Sequence, residues 1–132
     1  VVRGFGVIKT IKNKPYNKVI VAGSTGFIGK TQVQKLRSLG VQVLALSRSN
    51  VDITDREAVR WSVNSFAPEV IFNLSAYGTF RGESDFGRMI QVNALGTLHL
   101  LDAAVESNCR CFVKFTNKSV EWSNKKICLI YT

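Results

Sequence analysis

The sequence predicts an α/β fold in which a parallel sheet is covered by helices on both faces. Two observations lead to this prediction. Short apolar runs typical of buried strands alternate with stretches of helical period, and the first of these runs ends in a glycine cluster. The chain has 132 residues, 45% of them apolar. That suits one domain of roughly 100–200 residues whose core needs no disulfide or metal.

The first three predicted elements form a strand–helix–strand unit. Val19–Ala22 is a short β-branched run, and Val41–Leu46 is a second apolar run. Between them a helix is predicted from Phe27 to Leu39, with Gly40 as its C-terminal stop. The apolar residues that recur at helix-like intervals in it are Phe27, Ile28, Val33, Leu36 and Leu39.

The alternation continues through the middle of the chain. Thr54 and Glu57 stand three residues apart, as in a capping box, and predict a helix that runs to about Phe66. Val70–Leu74 is a third buried strand. The loop that follows it, 75–87, has about 13 residues, long enough to suggest a role in function.

The last predicted elements are a helix and one or two strands. A helix of about 20 residues begins near Met89. Cys111–Phe115 is the next strand, and Ile127–Tyr131 is a candidate for a further one. No internal repeat or interior linker interrupts this order.

The net charge of +9 lies on the two flanks of the chain. Residues 1–18 carry five bases and no acid, residues 110–132 carry five bases and one acid, and residues 19–109 carry eight of each. Because the predicted fold is itself neutral, we expect no specific nucleic-acid binding. No apolar stretch approaches the roughly 18 residues of a membrane-spanning helix, and no signal-peptide core is present, so we expect a cytoplasmic protein without membrane association.

The cysteines and the single histidine do not suggest a metal or disulfide site. Cys109, Cys111 and Cys128 form neither a Cys-x-x-Cys pair nor an even disulfide framework, so we expect reduced thiols. His99 lies among leucines in a predicted helix, where a structural role is expected. The sequence therefore predicts no bound metal.

The main candidate for ligand binding is a glycine motif placed where a predicted strand ends and a predicted helix begins. Gly23 permits a tight turn, Gly26 lets backbone N–H groups approach a pyrophosphate, and Gly29 lets the helix pack closely on the strand. The anion would rest at the positive end of the helix dipole. The residues predicted to form this cofactor-binding turn are Gly23, Ser24, Thr25, Gly26, Phe27, Ile28 and Gly29.

A phosphate-binding loop of the ATPase type is the alternative interpretation of the same motif. Gly29-Lys30-Thr31 matches the end of Gly-x-x-x-x-Gly-Lys-Ser/Thr, but Ser24 stands where the first glycine belongs. Phe27 and Ile28 would also place bulky side chains in a loop that must wrap phosphates. The next buried strand ends without an aspartate for magnesium. We therefore favour the dinucleotide.

Four patches of the sequence resemble the extended short-chain dehydrogenase/reductases, in particular the NAD-dependent epimerase/dehydratase group that acts on nucleotide sugars. They are residues 23–29, Val51–Asp55, Pro68–Ala76, and Val92–Thr97 with its continuation through Ala104. Their order and spacing also resemble the family's over about residues 18–116. The resemblance implies a Rossmann-like doubly wound sheet and NAD(P) as the cofactor.

The resemblance also implies which further residues bind that cofactor. Asp52 and Ile53 match the acidic–apolar pair that contacts the adenine, although Asp52 is also suited to be a turn or capping residue. Asn93 matches a helical asparagine near the cofactor, with a surface position as the alternative. The strand end over which the dinucleotide passes matches Leu74, Ser75 and Ala76.

The end of the second strand bears on the choice between NAD and NADP. An NAD site usually places an acid there to hold the ribose hydroxyls, but this chain has Ser47-Arg48. An arginine at this place suits a 2′-phosphate, so the sequence favours NADP. A solvated surface arginine is the alternative for Arg48.

Catalysis in the resembled family uses a tyrosine acid or base, a lysine four residues later and a Ser/Thr that orients the hydroxyl, during hydride exchange at a sugar carbon. Tyr16, Tyr77 and Tyr131 have no lysine four residues later, so the motif Tyr-x-x-x-Lys is absent. Thr116 is the one catalytic candidate, although Asn117 occupies the matching Ser/Thr position.

Beyond about residue 116 the likeness fades. We therefore predict a basic N-terminal extension at 1–17, an NAD(P)-binding domain at 18–116 and an atypical tail at 117–132. The chain is interpreted as the truncated and inactive cofactor-binding part of a nucleotide-sugar epimerase, dehydratase or reductase. Its parent would act on a nucleotide sugar, and a homodimer is compatible with the family. The alternative is a non-catalytic dinucleotide-binding module that senses redox state or supports a partner protein.

Overall fold

The computed structural model describes residues 16–116 and 127–131, with only the backbone at 115–116 and 127–131. Within this part five strands form one sheet in the order β2-β1-β3-β4-β5, and every pair of neighbours is parallel. The strands are β1 (Lys18–Ala22), β2 (Gln42–Leu46), β3 (Val70–Asn73), β4 (Cys111–Thr116) and β5 (Ile127–Tyr131). The strand order reverses between β1 and β3, which is where open α/β sheets bind their ligands.

Helices connect the first four strands and cover both faces of the sheet. They are α1 (Phe27–Ser38), α2 (Arg56–Phe66), α3 (Phe86–Ile90) and α4 (Gly96–Glu106), with a π-helical turn, Gln91–Leu95, joining the last two. One core cluster packs α1 against the face that carries Val19 and Val21. The other packs α2 and α4 against the face that carries Ile20 and Ala22. The predicted doubly wound α/β fold is thus confirmed, and so is a strand at 127–131.

The apolar residues on which the prediction of α1 rests do not all face the sheet. Phe27 is 89% exposed, and Ile28 and Leu39 are also exposed, whereas the buried face is formed by Gly29, Gln32, Val33 and Leu36. The reason is the contact of Gly29 with the turn after β1, which fixes the rotation of the helix. At 100° per residue, Phe27 lies about 200° around the helix from Gly29 and so points to solvent.

The prediction was wrong about the start of α2. The residue that caps this helix is Asp55, whose carboxylate accepts a hydrogen bond from the Ala58 N–H at 3.0 Å. Thr54 instead donates its hydroxyl hydrogen to Asp52 Oδ1 at 2.8 Å. Asp is as good a capping residue as Thr. Because Asp55 caps the helix, Thr54 lies in the turn that precedes it.

The helix expected near Met89 begins earlier, at Phe86, because Asp85 caps it by accepting from the Arg88 N–H at 2.9 Å. The loop after β3 accordingly spans residues 74–85. The helix is also not uniform, since the π-helical turn widens it at Gln91–Leu95. Such turns occur often at functional sites, and this one contains Asn93.

Candidate functional site

A cavity of about 320 Å³ lies at the carboxyl edge of the sheet, where β1, β2 and β3 end. Its volume falls at the small end of the roughly 300–1,000 Å³ range of small-molecule sites. The predicted residues that line it are Gly23, Thr25, Gly26, Arg48, Asp52, Ile53, Leu74, Ser75 and Ala76. These nine residues come from four separate segments of the sequence, which the fold brings together around one cavity.

Five of the predicted residues do not line this cavity: Ser24, Phe27, Ile28, Gly29 and Asn93. The Ser24 N–H is bonded to the Leu46 carbonyl at 3.0 Å, which ties the turn to the end of β2. Gly29 is buried beneath the turn, whereas Phe27 and Ile28 point outward.

Gly23 makes the turn after β1 geometrically possible. Its φ is +76°, in the left-handed region that favours glycine. A Cβ at this position would lie 2.7 Å from both Leu74 C and Ser75 N, which are backbone atoms at the end of β3. The first glycine thus permits the tight turn inferred from the motif, and it also lets two segments of the chain approach closely.

Gly29 sets the distance between α1 and that turn. A Cβ on Gly29 would lie 2.0 Å from the Gly23 carbonyl oxygen and 2.9 Å from Ser24 Cα. Neither atom belongs to a flexible side chain, so neither can move without moving the backbone. The third glycine is therefore a packing residue, as its place in the motif predicts.

The first turn of α1 leaves its N–H groups open. Gly26 is the residue before the helix, no side chain caps it, and the first turn carries no acidic residue. The N–H groups of Phe27, Ile28 and Gly29 have no partner one turn back within the helix. Together with the partial positive charge of the helix end, they form a site suited to an anion.

Asp52 lines the cavity from the loop after β2. Its Oδ1 accepts from the Thr54 N–H at 3.0 Å and from the Thr54 hydroxyl at 2.8 Å, so it is indeed a turn residue. Its Oδ2 pairs with Arg88 Nη2 at 3.1 Å. Burial acts to raise the pKa of Asp52, but the hydrogen bonds from Thr54 and Arg88 outweigh it and lower the pKa. The Asp52 side chain is therefore a carboxylate held in place by three hydrogen bonds.

Ile53 forms an apolar wall next to Asp52, and two residues of α4 hold it there. A Cβ on Gly96 would lie 2.6 Å from Ile53 Cδ1, so a larger residue there would require the Ile53 side chain to shift. His99 Nδ1 lies 2.9 Å from the Ile53 carbonyl oxygen. The expected structural role of His99 is confirmed by this contact.

Arg48 lines the cavity beside the end of β2, on a loop organised by Asn50. The Asn50 side chain accepts from the N–H groups of Ser47 and Val51, both at 2.7 Å, and donates to the Ala45 carbonyl at 2.8 Å. The Arg48 side chain itself is exposed. Its guanidinium is therefore available to an anion in the cavity.

Glu83 is an acid in the cavity wall that no sequence motif indicated. Its Oε2 accepts from the N–H groups of Gly78, Thr79 and Phe80 at 2.9, 3.0 and 3.1 Å. The hydrogen bond from the Phe80 N–H is the main reason that the pKa of Glu83 lies below its usual value. The only signal for this residue was the length of the loop in which it lies.

Asn93 holds the loop after β3 in place. Its side chain accepts from the Tyr77 N–H at 2.9 Å and donates to the Tyr77 carbonyl at 2.8 Å. It is half-buried, and the surface alternative for it is wrong. In the structure Asn93 positions the chain that borders the cavity, and a direct contact with a cofactor stays a prediction.

Other cavity residues were not among the predicted binding residues. They are Leu46, Ser47, Val51, Tyr77, Phe80, Glu83, Arg88 and Val92. Arg88 is the most consequential of them, because it is a cation paired with a predicted binding residue 36 positions earlier.

Lys114 lies next to the site on β4, in register with Asn73 of β3. Its Nζ donates to the Ser75 carbonyl at 2.7 Å. Burial lowers the pKa of Lys114 from 10.5 to about 8. The Lys114 ammonium thus supports the segment after β3 that borders the cavity. Because it is buried, its charged form lowers the stability of the fold.

This burial predicts a specific pH dependence. Because the folded-state pKa lies below the unfolded value, the unfolded chain binds more protons between pH 8 and 10.5, and Lys114 makes the free energy of unfolding rise with pH through that window. The total rise is roughly 3 kcal/mol. Urea unfolding at several pH values should show it as the difference between the unaltered chain and Lys114→Met. An identical pH dependence in both chains would contradict the buried charge.

Thr116 ends β4 at the same carboxyl edge, and its side chain lies outside the described part of the structure. Cys109 and Cys111 are not joined by a disulfide. Across residues 16–116 and 127–131, no three His, Cys, Asp or Glu side chains are grouped in a way that could hold a metal. None of the helices described above is long and apolar enough to cross a bilayer.

Residues 19–120 match the family model described as the NAD dependent epimerase/dehydratase family. This match covers more than half of the chain. The chain belongs to the NAD-dependent epimerase/dehydratase family. Membership confirms the resemblance inferred from the four sequence patches, and it accounts for the glycine turn, the cavity and the strand order together.

Individual relatives agree with this family. A dTDP-4-dehydrorhamnose reductase of Aggregatibacter actinomycetemcomitans is 32% identical over 93 residues, which are 69% of this chain and 32% of the reductase. A solved UDP-glucose 4-epimerase of Thermus thermophilus in complex with NAD matches 75% of this chain and 37% of its own, with a TM-score of 0.67 and 28% identity. A dTDP-4-dehydrorhamnose reductase of Bacillus anthracis in complex with NADP matches 79% of this chain and 37% of its own, with a TM-score of 0.70. At 22% identity, that last likeness shows the fold alone. The chain thus spans about a third of the length of these relatives.

Proposed function

We propose that residues 18–116 bind NAD(P), with a preference for NADP, as the cofactor-binding domain of a nucleotide-sugar reductase or epimerase. The observation that carries the proposal is the open first turn of α1. Gly26, which precedes this turn, lines a cavity at the switch point of the sheet, and no side chain caps the helix. Paired phosphates supply the negative charge that such a helix end stabilises.

The residues present fit a dinucleotide. Gly23 and Gly26 place no side chain in the turn before the helix, and Gly29 lets the helix pack closely on that turn. The N–H groups of residues 27–29 would hold the diphosphate. Arg48 would pair with a 2′-phosphate on the ribose at the end of β2. When bound, the nicotinamide would supply or accept the hydride at a sugar carbon.

The reaction and substrate are proposed from the relatives. The relative named above at 32% identity is a dTDP-4-dehydrorhamnose reductase, which supports a reductase of nucleotide sugars ahead of an epimerase or dehydratase. The 132 residues contain no Tyr-x-x-x-Lys, so we expect binding without turnover from this chain. Thr116, a homodimer and a cytoplasmic location stay predictions of the sequence.

The second candidate is a non-catalytic dinucleotide-binding module, favoured by the same lack of a Tyr-x-x-x-Lys motif. A longer parent sequence that contains the motif would favour the enzyme. A parent without it would favour the module. Both candidates require the same cofactor site.

The test is a titration of the purified 132-residue chain with NADPH and NADH, followed by fluorescence and calorimetry, with turnover assayed on dTDP-4-dehydrorhamnose. We expect NADPH to bind more tightly than NADH, and no turnover. Arg48→Ala should weaken NADPH binding by about 10- to 100-fold, the size expected for hydrogen bonds to a charged group, and leave NADH binding unchanged. Arg37→Ala, on the last turn of α1 away from the cavity, is the matched control. Equal weakening by both variants, or no binding at all, would contradict the proposal.

A further inference from the structure

Lys114 places a positive charge at the carboxyl end of β4, next to the cavity. Its neighbours in the sheet are Asn73 of β3 and Leu129 of β5, and neither is an ionisable residue. The Lys114 side chain is half-buried, and its Nζ donates to the Ser75 carbonyl oxygen at 2.7 Å. Because Ser75 lines the cavity, the ammonium is bonded directly to a residue of the cavity wall.

Support of this wall does not require a charge. The Ser75 carbonyl needs one donor, which a neutral amide side chain also supplies. The Ser75 N–H is already bonded to Oδ1 of the fully buried Asn73, at 3.1 Å. Taking an ammonium out of water costs free energy, and no ion pair among the described residues includes Lys114. The charge at this position therefore calls for an explanation of its own.

The place of Lys114 in the sheet indicates which half of a dinucleotide it is near. This step rests on the proposed function. The diphosphate lies at the glycine turn after β1, and the adenosine ribose lies at the end of β2. In the strand order, β3 and β4 lie on the other side of β1. The nicotinamide half must then lie over the ends of β3 and β4, where Ser75 and Lys114 are.

The oxidised and reduced cofactors differ in charge at the nicotinamide ring. The ring of NADP⁺ carries one positive charge and the ring of NADPH carries none, whereas the phosphates are the same in both. A nearby ammonium therefore repels the oxidised ring alone. Its attraction for the phosphates is common to the two forms and cancels in the ratio of their dissociation constants.

We propose that the charge of Lys114 makes the cavity bind the reduced cofactor in preference to the oxidised one. Lys114 does not itself line the cavity, so it acts through space from behind Ser75. Two unit charges about 8 Å apart, at an effective dielectric constant of about 20 to 40, change a binding constant by roughly 5- to 30-fold. Such a preference suits a reductase, which takes up the reduced cofactor and releases the oxidised one.

The test compares the dissociation constants of NADP⁺ and NADPH for the 132-residue chain, measured by calorimetry at pH 7. At this pH the ammonium is mostly charged, because the pKa of Lys114 is about 8. Lys114→Gln keeps a donor for the Ser75 carbonyl and removes the charge. In this variant and in Lys114→Met, the ratio of the NADP⁺ constant to the NADPH constant should fall by about 5- to 30-fold. Lys35→Met is the matched control, because it removes an exposed charge from the last turn of α1.

The ratio separates the effect of the charge from structural support. If Lys114 only supports the segment after β3, Lys114→Met weakens both cofactors equally and leaves the ratio unchanged, which would overturn the proposal. A fall of the same size in Lys35→Met would overturn it too. Thermal unfolding shows whether each variant is folded. An unaltered chain that binds both forms equally overturns the redox preference alone, whereas one that binds neither overturns the proposed function as well.

Discussion

Gly29→Ala is expected to destabilise the fold by about 3 kcal/mol, the upper part of the range for an overpacked site. In an ordinary helix the same change would be stabilising by roughly 0.5–1 kcal/mol. Here the new Cβ would lie 2.0 Å from the Gly23 carbonyl oxygen, so α1 or the turn after β1 must move. Urea unfolding followed by far-UV circular dichroism measures the difference.

Gly26→Ala is the matched control for this change. Its Cβ would lie 3.4 Å from the same Gly23 oxygen, an ordinary contact, and its backbone has φ −69° and ψ 168°, which alanine adopts readily. We expect the unfolding midpoint of Gly26→Ala to stay close to that of the unaltered chain. A Gly29→Ala chain as stable as Gly26→Ala would mean that helix and turn are not packed as described.

Gly26→Asp is expected to affect stability and binding in opposite directions. An aspartate before the first turn of α1 can accept from the open N–H groups and complement the helix dipole, which raises the free energy of unfolding by up to about 1 kcal/mol. The same carboxylate would occupy the place of the diphosphate and repel it. We expect the affinity for NADPH to fall by about a hundredfold or more, the equivalent of losing charge-assisted hydrogen bonds.

Gly26→Asn separates the charge from the shape in this experiment. Asparagine caps a helix about as well as aspartate does, but it carries no charge, so its effect on NADPH binding should be clearly smaller. Calorimetric titration gives the NADPH affinity of each of the two variants, and urea unfolding gives the free energy of unfolding of each. If Gly26→Asp bound NADPH as tightly as the unaltered chain, the ligand would not lie at this end of α1.

Features that depend on neighbouring residues could be predicted from the sequence. The spacing of Gly23, Gly26 and Gly29 indicated the turn, the open helix end and the close packing, because each depends on a few consecutive backbone units. The alternation of strands and helices likewise predicted the parallel sheet. The buried face of α1 was not predicted, because it depends on where Gly29 contacts the turn, which no hydrophobic pattern encodes.

Features that depend on distant residues were not predictable in the same way. Asp52 and Arg88 are 36 positions apart, and Asn93 bonds to Tyr77 across 16. No spacing rule applies to such pairs, since the fold alone brings them together. Glu83 could be suspected only from the length of its loop. Asp52 was expected both as a turn residue and as a binding residue, and it lies in the turn and in the cavity wall at once.

The central claim is that the N–H groups at the start of α1 bind the diphosphate of NAD(P). Amide ¹H–¹⁵N spectra of the 132-residue chain, recorded during a titration with NADP, test it most directly. We predict that the largest shifts fall on the amides of residues 25–29 and saturate with the binding isotherm. Saturable binding that leaves these amides unshifted and perturbs another region would contradict the claim.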